Sequence, residues 1–144
     1  MKIKSIKAFI IIITGCLIVF FPAKGQPNLI GYHEREVRNY MKVNQKDMVL
    51  QGLTFNNTFR YLKYTDRGQT QTLFFFLSAD SVCRSIRLLC DKNLKDNKIA
   101  ELNSKYKPIG NNQWEDERNG QKYSVELKDE EWTLNISINV KPKI

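Results

Sequence analysis

A run near the end of the chain, residues 131–140, alternates without a break. Trp132, Leu134, Ile136, Ile138 and Val140 fall on one side, and Thr133, Asn135, Ser137 and Asn139 on the other. A period of two marks a strand with one buried and one wet face, and such strands belong to antiparallel sheets packed on one side only. A shift of fifty residues lays Val82 on Trp132, Ile86 on Ile136 and Leu88 on Ile138. The same shift matches Tyr64 with Trp114, Gln71 with Gln121, Leu73 with Tyr123, Phe75 with Val125 and Leu77 with Leu127. The pattern predicts two units, about 28–90 and 91–144, each a helix followed by a three-strand meander. One such unit buries too little to stand alone, so the two are expected to share a sheet and a core. The expected fold class is α+β.

The first twenty-five residues read as an address. Lys2, Lys4 and Lys7 form a positive start, residues 8–21 are apolar almost throughout, and Ala23 and Gly25 are small residues at the positions a signal peptidase reads. Cleavage before Gln26 is expected. A lipobox reading at Ile13, Thr14, Gly15 and Cys16 competes with it. Lipidation of Cys16 would leave residues 17–21 at the mature terminus and shorten the apolar run to about half the usual length. About fourteen apolar residues also fall short of the ~20 that span a bilayer, so no membrane span is expected after cleavage.

Removing residues 1–25 takes away four lysines and no acid, which leaves 19 basic against 15 acidic side chains, a net of +4 rather than +8. A charge so modest, with no clustered basic stripe, argues against nucleic acid as the partner. Cys83 and Cys90 would then be the remaining cysteines. On one continuous strand they stand about 23 Å apart, far beyond disulfide reach. They are expected to be either buried small hydrophobes or an intermolecular handle.

In chain order, 29–42 reads as an amphipathic helix capped by Asn28, with Ile30, His33, Val37, Tyr40 and Met41 on one stripe. Strand candidates follow at 48–55, interrupted by Gly52, then at 59–64, 70–78 and 82–89. A second helix is expected over 94–106 with Leu94, Ile99, Leu102 and Tyr106 inward, ended by Pro108 and Gly110. A short strand around Trp114, a turn at Asn119 and Gly120, and a strand over 122–127 complete the second unit.

The small residues before Gln26, the run Leu73 to Leu77 followed by Cys83, Arg84, Ser85, Ile86, Arg87 and Leu88, the helix segment 99–103, and Trp114, Tyr123 and Trp132 resemble a group of short exported Bacteroidota proteins of unknown function. The resemblance spans most of the chain after residue 25. It implies export and a non-enzymatic role, and it transfers no site residue. The tandem helix-plus-meander layout is similar, at fold level only, to β-lactamase-inhibitor-like and PepSY-like domains.

The two units differ in their outer faces. A turn centred on Ala79 and Asp80 sets Leu77 opposite Val82 and Leu73 opposite Ile86, which places Phe74, Phe76, Cys83, Ser85 and Arg87 together on the outer face. The matching positions of the second unit are Lys122, Ser124, Glu126, Thr133, Asn135, Ser137 and Asn139. Aromatic rings beside an arginine are the residue types that anchor protein interfaces, so Phe74, Phe76 and Arg87 form the candidate binding site. The competing reading is that the first helix or the signal-proximal segment covers these rings, or that the register is off by one. Arg84 falls on the core side opposite Phe75, unless a bulge moves it out.

No motif for catalysis, metal or nucleotide binding stands out, and no cofactor is expected. His33, the sole histidine, is expected to pack on the helix stripe. Glu115, Glu117, Glu130 and Glu131 read as solvated charges at sheet edges. Asp80, Ser81 and Val82 resemble a Bacteroidota O-glycosylation acceptor, with Ser81 the candidate modification site. The function expected from these readings is a non-enzymatic binding protein of the periplasm or cell surface with a protein partner. The alternatives are an inhibitor or immunity-type protein, a small hydrolase or a structural subunit.

Overall fold

The computed structural model describes residues 27–56 and 58–143. The segment read as a signal, and with it Cys16, lies outside the described residues. Two helices and eight strands follow one another as α1 (Glu34–Asn44), β1 (Met48–Phe55), β2 (Arg60–Asp66), β3 (Gln71–Leu77), β4 (Cys83–Asp91), α2 (Lys95–Lys105), β5 (Lys107–Gly110), β6 (Gln113–Arg118), β7 (Gln121–Asp129) and β8 (Thr133–Val140). The fold is α+β. All eight strands join one antiparallel sheet in the order β1-β2-β3-β4-β8-β7-β6-β5, with β4 and β8 at the centre. No helix among the described residues is long and apolar enough to cross a membrane.

Leu134, Ile136 and Ile138 of β8 are wholly buried, as the alternation requires. Each such side chain contributes about 1.5–3 kcal/mol through loss of apolar surface to water. The ends of the stripe behave differently. Trp132 is 80% exposed and Val140 is exposed as well. The last β7–β8 pair is Asp129 with Leu134, so Trp132 lies in the turn closed by the Glu130 N–H on the Thr133 carbonyl, at 2.9 Å. A periodic pattern continued into a turn loses its facing.

One face of the sheet carries the core. Leu62 and Tyr64 of β2, Leu73, Phe75 and Leu77 of β3, and Ile86 and Leu88 of β4 alternate into it, with Trp114, Tyr123 and Val125 in the other half. Val37 and Met41 of α1 and Leu102 of α2 belong to the same cluster, so both helices lie on this face. Trp114 donates its indole N–H to Asn103 Oδ1 of α2 at 2.8 Å, which supplies the polar handle of a buried tryptophan with its partner.

Helix α1 begins later than the expected residue 29, because His33 rather than Asn28 is its cap. The His33 ring accepts from the Arg35 N–H at 3.3 Å and Glu36 accepts from the His33 N–H at 2.8 Å, a reciprocal capping box. Leu29 and Ile30 are buried, but in a turn ahead of the helix where Gly31 takes φ +90. Leu102 and Tyr106 are buried beside α2 as expected, and Lys98 joins them while pairing with Glu101 at 3.0 Å.

Residues 107–110, read as a helix stop, form the edge strand β5, so the second helix, like the first with its additional strand over 48–55, is followed by four strands. Proline is tolerated in such a strand because an edge strand turns every second N–H away from its single neighbour. The β6–β7 hairpin turns at Asn119 and Gly120, both at positive φ, the two-residue turn that matches strand twist. In β1 the register slips between Leu50 and Gly52, a bulge on an otherwise long outer edge.

Candidate functional site

The sheet face away from the helices is crossed by rows of side chains opposite one another on neighbouring strands. One row runs Lys63, Phe74, Arg87, Ser137, Glu126 and Gln113. The next runs Tyr61, Phe76, Ser85, Asn139, Ser124 and Glu115. The rings of these rows lie on β2 and β3, as Tyr61, Phe74 and Phe76, with Lys63 at the β2 end of the first row, and both rows are polar from β4 onward. Phe74, Phe76 and Arg87 therefore share this face, as the alternation predicts.

The rings touch. Phe74 and Phe76 stack with centroids 6.2 Å apart, Tyr61 meets them edge-on or tilted at 5.5 and 5.7 Å, and Phe59 approaches Phe76 at 6.3 Å. The Arg87 guanidinium lies 5.6 Å from the Phe76 ring centre. Phe74 and Phe76 are half-buried by these contacts, while Phe59 is 53% exposed. Edge-to-face and offset-stacked contacts of this kind are favourable ring arrangements, and aromatic side chains beside an arginine are the residue types that anchor interfaces. Phe59 and Tyr61 escaped the sequence reading. Finding them requires the β2–β3 register, which sets Tyr61 directly opposite Phe76.

The expected β3–β4 pairing is corrected by two residues along Leu73 to Phe76 and by one at Leu77. Leu73 faces Leu88, Phe75 faces Ile86 and Leu77 faces Cys83. Ladder pairs jump from Phe76–Ser85 to Leu77–Cys83, so Arg84 is the extra residue of a bulge and points to solvent, 3.8 Å from Asp80. The bulge shifts facing by one beyond it and turns Cys83 into the core rather than onto the outer face.

Both thiols are accordingly buried and unbridged. Burial pushes Cys83 up to about 12 and Cys90 up to about 11, because a thiolate would lose its hydration there. Neither is an intermolecular handle. Native protein at pH 8 is expected to react with a thiol reagent at less than about one hundredth the rate of unfolded protein. Rapid labelling of either cysteine in the folded state would contradict this.

Other candidates lie apart from the aromatic rows. His33 is exposed at its cap instead of packed on a helical stripe. Ser81 sits in the β3–β4 turn at φ +64, half-buried, its carbonyl accepting from the Glu34 N–H at 2.8 Å. Glu115 is held between Lys122 at 3.0 Å and Lys141 at 2.8 Å. Their hydrogen bonds depress it to about 2. A depressed carboxyl stabilises the fold above its ordinary range near 4.5, and that contribution fades as pH falls toward about 2. An NMR titration should show the Glu115 midpoint near 2, moving upward in Lys141→Ala; an unchanged midpoint would remove Lys141 as a cause.

On the helix side a cleft of about 470 Å³ opens over Leu73 and Leu88, walled by Asp66, Arg67, Lys98 and Glu101. Most of its charges are satisfied internally. Asp66 accepts from the Gln71 N–H and the Thr70 hydroxyl, each at 2.8 Å, and Lys98 engages Glu101. His33 does not line it. A further residue missed in the sequence is Arg118, whose guanidinium donates to the Asn28 and Ile30 carbonyls and lies over the Tyr32 and Tyr123 rings at 5.4 and 5.3 Å. Its role is to fasten the segment ahead of α1.

The described residues define an α+β protein with one sheet backed by two helices, and among them no helix covers the other side, which is divided into aromatic and polar halves. No protein-family model, no curated protein and no solved structure matches the chain.

Proposed function

We propose that this is an exported, non-enzymatic binding protein of the periplasm or cell surface that engages a protein partner through Phe74, Phe76 and Arg87. The observation that carries the reading is the packed ring cluster with an adjacent guanidinium on the sheet face away from the two helices. The polar half of the same face, where Glu115 is neutralised by its own lysines, frames it as a wet rim. The test is cross-linking and capture from the native envelope fraction with protein and with Phe74→Ser/Phe76→Ser. That variant is expected to keep its circular dichroism spectrum and to lose a specific partner by tenfold or more, as removal of two interface anchors implies. Retention of the partner by the folded variant would sink the reading.

The same reading includes a chain built from two related units, 28–90 and 91–144. In a fifty-residue repeat with a local two-fold axis between β4 and β8, one position must face its own counterpart. Arg87 is opposite Ser137, fifty residues on, and the flanking pairs Ile86–Ile138 and Leu88–Ile136 exchange under the same axis. The hairpins depart from it by an even step, since Phe75 faces Ile86 while Leu127 faces Ile136, fifty-two residues beyond Phe75. An even step preserves the facing of every side chain. Superposition of the two halves in an experimental structure should align Arg87 with Ser137, and a best fit at another offset would reject the duplication.

A further inference from the structure

The partner's chemistry follows from the charges among the rings; the inference rests on the proposed binding role of this face. Lys63 and Arg87 flank Phe74 in one row, two strands and about 10 Å apart. Among the described residues neither has an ion-pair partner. Asp66, which lines a cleft with Lys63, is engaged by Gln71 and Thr70. Asp80 approaches Arg84 instead, in the turn beyond the rows. The polar half shows the opposite arrangement, with Glu115 between Lys122 and Lys141 and Glu126 beside Lys128 at 3.6 Å. Cations set among aromatic rings without a counter-ion leave a local positive field with an apolar floor.

We infer that the aromatic half binds an acidic segment of a protein partner, with an apolar or aromatic side chain seated on Phe59, Tyr61, Phe74 and Phe76 between two carboxylates that meet Lys63 and Arg87. An extended segment presents every second residue to the sheet, about 6.8 Å apart, so glutamates two positions before and after a phenylalanine fall within reach of both long cationic side chains. Carboxylates at this site gain charge-assisted hydrogen bonds to Arg87 and steering toward the face.

The probe is a fluorescein-labelled nine-residue peptide of glycine and serine with a central phenylalanine and a glutamate two residues to either side. Its controls replace the glutamates by glutamine or the phenylalanine by serine. Fluorescence polarisation should show saturable binding of the glutamate peptide, weakened about tenfold or more by either replacement and by Lys63→Glu/Arg87→Glu, and weakened further as salt rises. Both substitutions are on the open face, and circular dichroism checks that the variant is folded. Equal binding of the glutamine peptide would overturn the acidic character and leave the aromatic binding face standing. Absence of binding by any peptide would overturn the inference. Binding of phosphatidylglycerol vesicles but not peptide would replace it with a membrane surface, and a dimer in sedimentation abolished by Lys63→Glu/Arg87→Glu would replace it with a second copy. Failure of the underlying reading is separate, since it is scored by partner retention in Phe74→Ser/Phe76→Ser.

Discussion

Phe75→Ala is expected to lower the unfolding free energy by about 3–5 kcal/mol, the range for removing a fully buried aromatic side chain and leaving a cavity. Phe75 has no exposed surface, lies between Leu62 and Ile86 on the neighbouring strands, and meets Tyr64 edge-on with ring centres 5.9 Å apart. A domain of this size is stable by about 5–15 kcal/mol, so this one change removes a large share. Its neighbours Phe74 and Phe76 share the same strand but face away from the helices, and their replacement by serine should leave the fold intact. Urea denaturation of the variants checks this through the midpoint at unchanged slope. A loss below about 1.5 kcal/mol for Phe75→Ala would mean that the site collapses freely or that the assigned facing is wrong.

Arg118→Ala is expected to cost about 2–4 kcal/mol, and by another route. Its guanidinium donates to the Asn28 carbonyl at 2.9 Å, to the Ile30 carbonyl, and to the Tyr123 hydroxyl at 3.2 Å, while stacking between Tyr32 and Tyr123. Truncation strands two carbonyls and removes two cation–ring contacts, each loss on the order of 1 kcal/mol. Lysine should rescue only part, because a point charge cannot reproduce a planar fork. The segment that loosens is bound to β4 through the Gly31 N–H on the Cys83 carbonyl and the Cys83 N–H on the Tyr32 carbonyl, both 2.8 Å. Hydrogen exchange at Gly31 and thiol labelling at Cys83 should therefore quicken while Cys90 stays protected. Equal acceleration at both cysteines would indicate global rather than local opening.

The parts of the fold legible beforehand are those set by neighbours along the chain. Val37 and Met41 stand one helical turn apart and are buried together; Leu134, Ile136 and Ile138 alternate and are buried together. Asn119 and Gly120 adopt positive φ because their chemistry permits it. Phe74, Phe76 and Arg87 were readable as one face for the same reason. Trp132 fails locally, in the turn closed by Glu130 and Thr133, whereas the other failures involve a distant partner. His33 replaces Asn28 as cap because residues 28–32 are drawn across to Arg118, some ninety positions away. Lys107–Gly110 becomes a strand because β6 offers it an edge.

Periodicity and side-chain chemistry alone determined that this chain forms amphipathic strands and helices, and which residues of each strand travel together. Tertiary structure decided how those sets meet: that a bulge at Arg84 sends Cys83 inward, that Tyr61 and Phe59 complete the ring cluster, and that Lys63 and Arg87 flank it without counter-ions among the described residues. Alternation repeats every two residues and so fixes facing only up to a register, whereas register is chosen by the sum of contacts across strands.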